Sequence, residues 1–238
     1  MSPKSIRERL SELDWKEIEA SLWELGYAKT PRLLTGAECE TLIRLYPDDR
    51  RFRSRIDMER YRFGRGSYAY FTHPLPRVAR ELRVHAYRHL APIANRWQRA
   101  LGREPSYAPT LKGFLDRCHA NGQSRPTPLL LHYEAQGYNC LHQDLYGDLA
   151  FPLQIAALLS RSGVDFDGGE FLLLEQRPRA QSRGEAVTVE QGELVIFPCT
   201  ERPAQGKRGM LRLSMRHGVS RVTRGSRYAL GIIFHDAR

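Results

Sequence analysis

From about residue 110 to its end, the chain reads as short apolar runs separated by turn residues, with no helical period between them. Leu129–Tyr133, Glu193–Phe197 and Arg227–Phe234 are such runs, and Gly137, Gly192 and Gly225 mark turns beside them. A parallel, doubly wound sheet needs a helical crossover between successive strands. Strands that follow one another directly build a sandwich or a barrel instead. The second half of the chain is therefore expected to be a β-structure that buries one face of each strand.

Within that half lies His142-Gln143-Asp144. Side chains two apart on a strand share a face, so His142 and Asp144 address one side while Gln143 points away. A distant second histidine, His217, offers a third donor. Two neutral imidazoles and one carboxylate suit Fe(II) and leave about three octahedral positions open. A structural zinc site fills its shell with protein ligands. An isolated HxD arises often by chance, so the distal half decides. Arg227 follows His217 by ten residues, and the two are expected on neighbouring antiparallel strands. Arg227, Ala229, Gly231 and Ile233 share one face of the last strand, where small side chains leave room for a ligand beside the guanidinium. Cys140 is expected to be a small core residue rather than a sulfur ligand. His73, His85, His89, His119 and His132 are expected to be surface or core groups.

Tyr133, His142-Gln143-Asp144, Asp167-Gly168-Gly169-Glu170-Phe171, Gly192-Glu193-Leu194-Val195-Ile196-Phe197, His217-Gly218-Val219 and Gly225-Ser226-Arg227-Tyr228 together resemble the Fe(II)- and 2-oxoglutarate-dependent dioxygenases, in that family's order over residues 129–238. The resemblance implies a mainly β fold with flanking helices: a double-stranded β-helix (jelly roll) core with an N-terminal helical region. It implies that His142, Asp144 and His217 bind iron, and that Arg227 with the Tyr133 hydroxyl holds the distal carboxylate of 2-oxoglutarate. It further implies hydroxylation of a C–H bond with O2, releasing succinate and carbon dioxide. Arg65–Phe71, Pro74-Leu75-Pro76 and Leu90–Trp97 resemble a bacterial subgroup of nucleic-acid oxygenases. That subgroup is expected to demethylate damaged nucleic acid oxidatively, in the manner of AlkB-type enzymes. The segment between Phe197 and His217 is longer than in the prolyl-hydroxylase branch.

The charge balance points the same way. A net charge of +10 and a pI near 9.7 attract polyanions, of which nucleic acid is the commonest. Arg50, Arg51, Arg53, Arg55, Arg60, Arg62 and Arg65 interleave with Phe52, Tyr61 and Phe63, followed by Tyr68, Tyr70 and Phe71. Guanidinium groups track phosphates and aromatics stack on unpaired bases. A second basic cluster, Arg202, Lys207, Arg208, Arg212 and Arg216, leads into His217 and is expected beside the iron. DNA or RNA is therefore the expected partner. No apolar run of about 18 residues is present, so no membrane span is expected. Cys39, Cys118, Cys140 and Cys199 form no CxxC, and Met1-Ser2-Pro3-Lys4 opens no apolar signal segment. A reduced, cytoplasmic chain is expected.

One dioxygenase domain is expected over residues 1–238, with a mostly helical part and a basic aromatic hairpin in 1–105 and the β core in 106–238. Residues 14–26 carry Trp15, Ile18, Leu22 and Leu25 at helical spacing, stopped by Gly26. Tyr27–Leu34 reads as a strand. Thr35 and Glu38 form a capping box for a second helix. A long helix is expected from about Pro76 to Leu101, kinked or broken at Pro92. Arg177–Gly184 reads as a polar loop. Three rival readings remain: a protein (prolyl-type) hydroxylase, a non-catalytic nucleic-acid-binding β-fold with structural His and Asp, and a cupin-like metal enzyme, which leaves Arg227 unexplained.

Overall fold

The computed structural model describes residues 4–144 and 147–238. The chain opens with α1 (Ile6–Ser11) and α2 (Trp15–Glu24), followed by the short strand β1 (Ala28–Lys29) and α3 (Gly36–Leu45). Next come β2 (Phe52–Asp57), β3 (Gly64–Arg65), β4 (Ser67–Phe71) and the long α4 (Arg77–Ala100), then α5 (Leu111–Ala120). The remaining strands are β5 (Leu129–Glu134), β6 (Tyr138–His142), β7 (Leu153–Leu158), β8 (Phe166–Gly168), β9 (Phe171–Gln176) and β10 (Arg183–Val187). They continue with β11 (Leu194–Pro198), β12 (Glu201–Gly206), β13 (Gly209–Val219) and β14 (Val222–Ile233).

Two antiparallel sheets result. The larger has the order β1-β11-β7-β14-β5-β4-β2, with β8 joined to β14. The smaller has the order β10-β9-β13-β6-β3, with β12 joined to β13. Period-two alternation explains how the larger sheet covers two interiors at once. On β7, Leu153, Ile155 and Ala157 face the helices, while Ala156 and Leu158 face the other sheet. On β14, Leu230 and Ile232 face the helix side. There Leu82, Ala86, Leu90, Ile93 and Trp97 of α4 cover the sheet. Between the sheets, Phe166, Phe171, Leu173, Val195, Phe197 and Val219 form a second apolar cluster around Tyr133. Helices on one face and a second sheet on the other make this the expected jelly roll.

Local signals account for most elements. Thr35 accepts from the backbone N–H of Glu38, whose side chain returns to the N-cap, so the expected capping box forms. The same device, Ser5 with Glu8, starts α1, a six-residue helix too short to show an apolar period. Pro92 sits inside α4 without ending it. Burial of a whole apolar stripe on the sheet outweighs one lost hydrogen bond. The expected strand over Tyr27–Leu34 is confined to two residues, because Pro31 has no N–H to donate. The chain nevertheless stays on the edge of β11 and its turn, through Thr30 to Leu194 and through Leu33 and Leu34 to Gly192. Residues 111–120 are helical rather than extended: Thr110 caps α5, which buries Leu111, Phe114 and Cys118. The loop expected over Arg177–Gly184 gives way to β10 from Arg183. Among the described residues, no helix is long and apolar enough to cross a membrane.

Candidate active site

A cavity of about 420 Å³ opens between the two sheets. His142 ends β6, and Asp144 lies just beyond it. Antiparallel pairing sets His142 directly opposite His217 on β13, and their ring centroids stand 4.2 Å apart. Asp144 completes the group: Oδ2 lies 3.2 Å from His217 Nε2 and Oδ1 lies 3.6 Å from His142 Nε2. One ligand atom from each of the three residues falls within 4.8 Å of the others, the one such group among the described residues. Gln143 does turn away, its amide donating to the carbonyls of Thr200 and Met215.

This group fits a metal. His142 Nδ1 lies 2.8 Å from the carbonyl oxygen of Cys140, so Nδ1 carries the proton and the Nε2 lone pair is directed at the group's centre. Burial, and then the neighbouring His217, hold the His142 pKa below its ordinary value, so the ring is neutral near pH 7. Phe197 and Phe171 pack on the His217 ring, at 4.7 and 6.1 Å between centroids, and fix its plane. Gly218 allows the close strand approach: a Cβ there would lie 2.6 Å from the carbonyl oxygen of Asn139. Two nitrogens and one carboxylate on one side of a cavity leave the opposite side free for other ligands, as Fe(II) chemistry requires.

Arg227 enters the same cavity from the larger sheet. It pairs in register with Tyr133 on β5, so both side chains share the cavity face, together with Ala229, Gly231 and Ile233 as expected. His217 and Arg227, however, do not lie on neighbouring strands. β13 belongs to the smaller sheet and β14 to the larger, so the two residues face each other across the cavity. Arg227 is only 4% exposed, and its Nε has no hydrogen-bond partner. No carboxylate pairs with its guanidinium among the described residues; its neighbours are the rings of Tyr133 and Phe166, at 5.6 and 5.8 Å. Burial pulls its pKa down and pushes that of the Tyr133 hydroxyl up, so Tyr133 stays a proton donor. A buried cation without a counter-ion marks the place of an anionic ligand. Gly169 belongs to this end as well: a Cβ would stand 2.8 Å from Arg227 Cδ, at a backbone φ of +65°.

Residues 66–237 match the family model of Oxygenase-NA, described as an oxygenase catalysing oxidative methylation of damaged DNA. The chain belongs to the Oxygenase-NA family. The uncharacterized protein Rv2227 of Mycobacterium tuberculosis is 48% identical over 173 residues, which span 73% of this chain and 74% of that protein. Among solved structures, a Pseudomonas putida prolyl-4-hydroxylase shares the fold with a TM-score of 0.54 at 13% identity, over 94% of this chain and 99% of the other. The α-ketoglutarate-dependent carbocyclase SnoK of nogalamycin biosynthesis does so with a TM-score of 0.56 at 16% identity, over 99% and 87% of the two chains. An oxidoreductase of the 2OG-Fe(II) oxygenase family from Burkholderia pseudomallei aligns with a TM-score of 0.52 at 14% identity, over 95% and 93%. Family, fold and donor set are compatible: the chain is an Oxygenase-NA oxygenase, its fold is shared with solved 2OG-Fe(II) oxygenases, and His142, Asp144 and His217 could hold a metal.

Other expectations need correcting. Cys140 is exposed and lines the cavity instead of packing in the core. Arg202, counted with the nucleic-acid cluster, is 1% exposed. It is ion-paired to buried Glu175 and donates to the carbonyls of Trp23 and Glu24 at the end of α2, so it is a structural clamp. Within the N-terminal basic segment, Arg50 and Arg51 pair with Asp48, Arg55 with Asp49, and Arg65 with Glu59. Arg60 and Arg62 pair with no carboxylate among the described residues. Arg62 and Phe63 line the cavity mouth. Phe63 stacks on Tyr61 at 5.7 Å, and the two rings are 47% and 48% exposed.

Proposed function

We propose that this chain uses Fe(II) and 2-oxoglutarate to hydroxylate an N-methyl group on a damaged nucleic acid, removing it as formaldehyde. The observation that carries the chemistry is the unpaired, buried guanidinium of Arg227, which faces the cavity that holds the His142, Asp144 and His217 donors. In this reading those three residues hold the metal. Arg227 grips the distal carboxylate of the keto acid in bidentate fashion, and the Tyr133 hydroxyl donates to the same group. The floor of Ala229, Gly231 and Ala156 gives the keto acid room, while Phe171, Phe197 and Leu131 keep bulk water from it. Bound iron with its co-substrate and O2 supplies the oxidising power; the protein supplies placement and a shielded site.

The substrate assignment rests on the family description and on the cavity mouth. A flipped or unpaired base needs a cation for its phosphate and a ring for its face. Arg60 and Arg62 beside the exposed Tyr61–Phe63 stack offer both. A prolyl-type hydroxylase shares the fold but needs no such mouth. The four cysteines are free thiols, which fits a reducing cytoplasm. The test is anaerobic titration with Fe(II) and 2-oxoglutarate, followed by air and a panel of methylated oligonucleotides and proline peptides. Formaldehyde and succinate should appear together with an oligonucleotide. Succinate coupled only to a peptide would refute the nucleic-acid assignment.

A further inference from the structure

The cavity holds a second orphaned donor besides Arg227. Gln154 sits on β7, is 4% exposed and lines the cavity. Its Nε2 is fully buried and has no hydrogen-bond partner. Buried amide donors in folded proteins are nearly always satisfied, so one that is not, and that faces a cavity, marks a missing acceptor. Its position says which end of the cavity that acceptor occupies. β7 is central in the larger sheet: Gln154 stands opposite Phe197 on one side and Ile233 on the other. Phe197 packs on the His217 ring, and two residues farther along the carbonyl of Cys199 receives the backbone N–H of Asp144. Asp144 also acts electrostatically on Cys199 and His235, which flank the start of β7. Gln154 thus borders the metal-binding end.

Arg227 lies six residues before Ile233 on β14, so it stands at the opposite end of the same sheet face. At roughly 3.4 Å per residue their backbones are about 20 Å apart. Both side chains line the cavity that extends between those points. Ala156, Ala229 and Gly231 floor the space between them. Building on the function proposed above, we infer that Gln154 is the second anchor of the 2-oxo diacid: its Nε2 donates to an oxygen of the keto-acid end, while Arg227 holds the far carboxylate. Gln154 is then a positioning residue, which sets how that end lies against the metal without binding the metal itself.

The test is equilibrium binding of 2-oxoglutarate to the full-length, Fe(II)-loaded protein without O2, read by calorimetry. The parent is compared with Gln154→Leu, Gln154→Glu and Arg227→Met. A lost hydrogen bond to a charged group weakens binding by about tenfold or more, and Q154L should show that loss with its Fe(II) affinity unchanged. Q154E sets a carboxylate against an anion and should lose more, and it serves alone if Q154L does not fold. Keto-acid affinity retained in both variants, with R227M still losing it, would overturn the role of Gln154 and leave the function intact. The same pattern with weakened oligonucleotide binding would transfer Gln154 to the primary substrate and equally refute the keto-acid anchor. A parent that binds no 2-oxoglutarate would end both proposals.

Discussion

Replacing Arg227 by methionine should make the ligand-free protein more stable and less able to bind 2-oxoglutarate, two changes of opposite sign. Arg227 is 4% exposed, its Nε has no partner, two rings stand 5.6 and 5.8 Å from its guanidinium, and Glu170 acts on it only from beyond ion-pair distance. The desolvation cost of such an ion is several kcal/mol, of which cation–π attraction returns about 1–2 kcal/mol. Methionine has similar volume and flexibility and carries no charge. A net gain of about 1–3 kcal/mol follows, or roughly 2–10 °C in Tm for a chain of this size. The parent gains about 2.7 kcal/mol from ligand at a hundred times its Kd. If losing the bidentate contact weakens binding a hundredfold, the variant gains only about 0.4 kcal/mol at the same concentration. Thermal melts of both proteins, Fe(II)-loaded under nitrogen, with and without 2-oxoglutarate, give all four numbers. A variant that melts lower than the parent without ligand would show that Arg227 is a structural residue. An equal ligand-induced shift in both proteins would remove it from the co-substrate site.

Asp144→Ala removes the only carboxylate of the donor group; Fe(II) binding by equilibrium dialysis should weaken at least a hundredfold and succinate formation should cease, and retained binding would refute the ligand assignment. His235 is fully buried, accepts from the backbone N–H of Phe151, and is held at a pKa of about 4, chiefly by burial and then by Arg83, against 6.5 when free. A lowered histidine pKa means that the unfolded chain binds the extra proton between those values, so stability falls as pH drops from about 6.5 to 4, by about 3 kcal/mol in all. His235→Asn should flatten that limb of a denaturation-against-pH curve, and an unchanged limb would place the acid sensitivity elsewhere. Tyr61→Ala with Phe63→Ala should weaken single-stranded oligonucleotide binding by tenfold or more while leaving 2-oxoglutarate binding intact, because stacking contributes about 1–3 kcal/mol per base; unchanged retention of oligonucleotide would remove the stack from the interface.

The parts of the fold readable from sequence were those set by a local period or a local cap. Leu129–Glu134, Leu194–Pro198 and Val222–Ile233 lie where the apolar runs placed strands, and Thr35 with Glu38 caps a helix as its spacing required. The misses came where tertiary packing decides. Residues 111–120 carry only a modest apolar stripe and become helical by burying Phe114 and Cys118 against α4 and its neighbours. Tyr27–Leu34 is apolar enough for a strand, yet Pro31 interrupts its ladder, which no count of hydrophobic residues registers. Arg202 shows the same limit for charge. Counted in the sequence it belongs to a basic cluster, whereas in the fold Glu175 and the carbonyls at the end of α2 neutralise it.

The candidate site divides along the same line. Donor identity is a sequence property, and His142, Asp144 and His217 do converge as their residue types and spacing implied. What each donor lacks is a property of the fold. Arg227 at a strand start could have been one more surface charge, and Gln154 offers no motif at all. They become informative only because sheet closure buries them and gives them nothing to bind. Burying two donors unsatisfied costs stability that two apolar side chains would not have cost. A fold that keeps both, at opposite ends of one face and with alanine and glycine between, is shaped around an elongated molecule with acceptors at each end. That conclusion stands on unsatisfied donors and register alone, so a co-substrate other than a diacid would have to present the same two acceptors at the same separation.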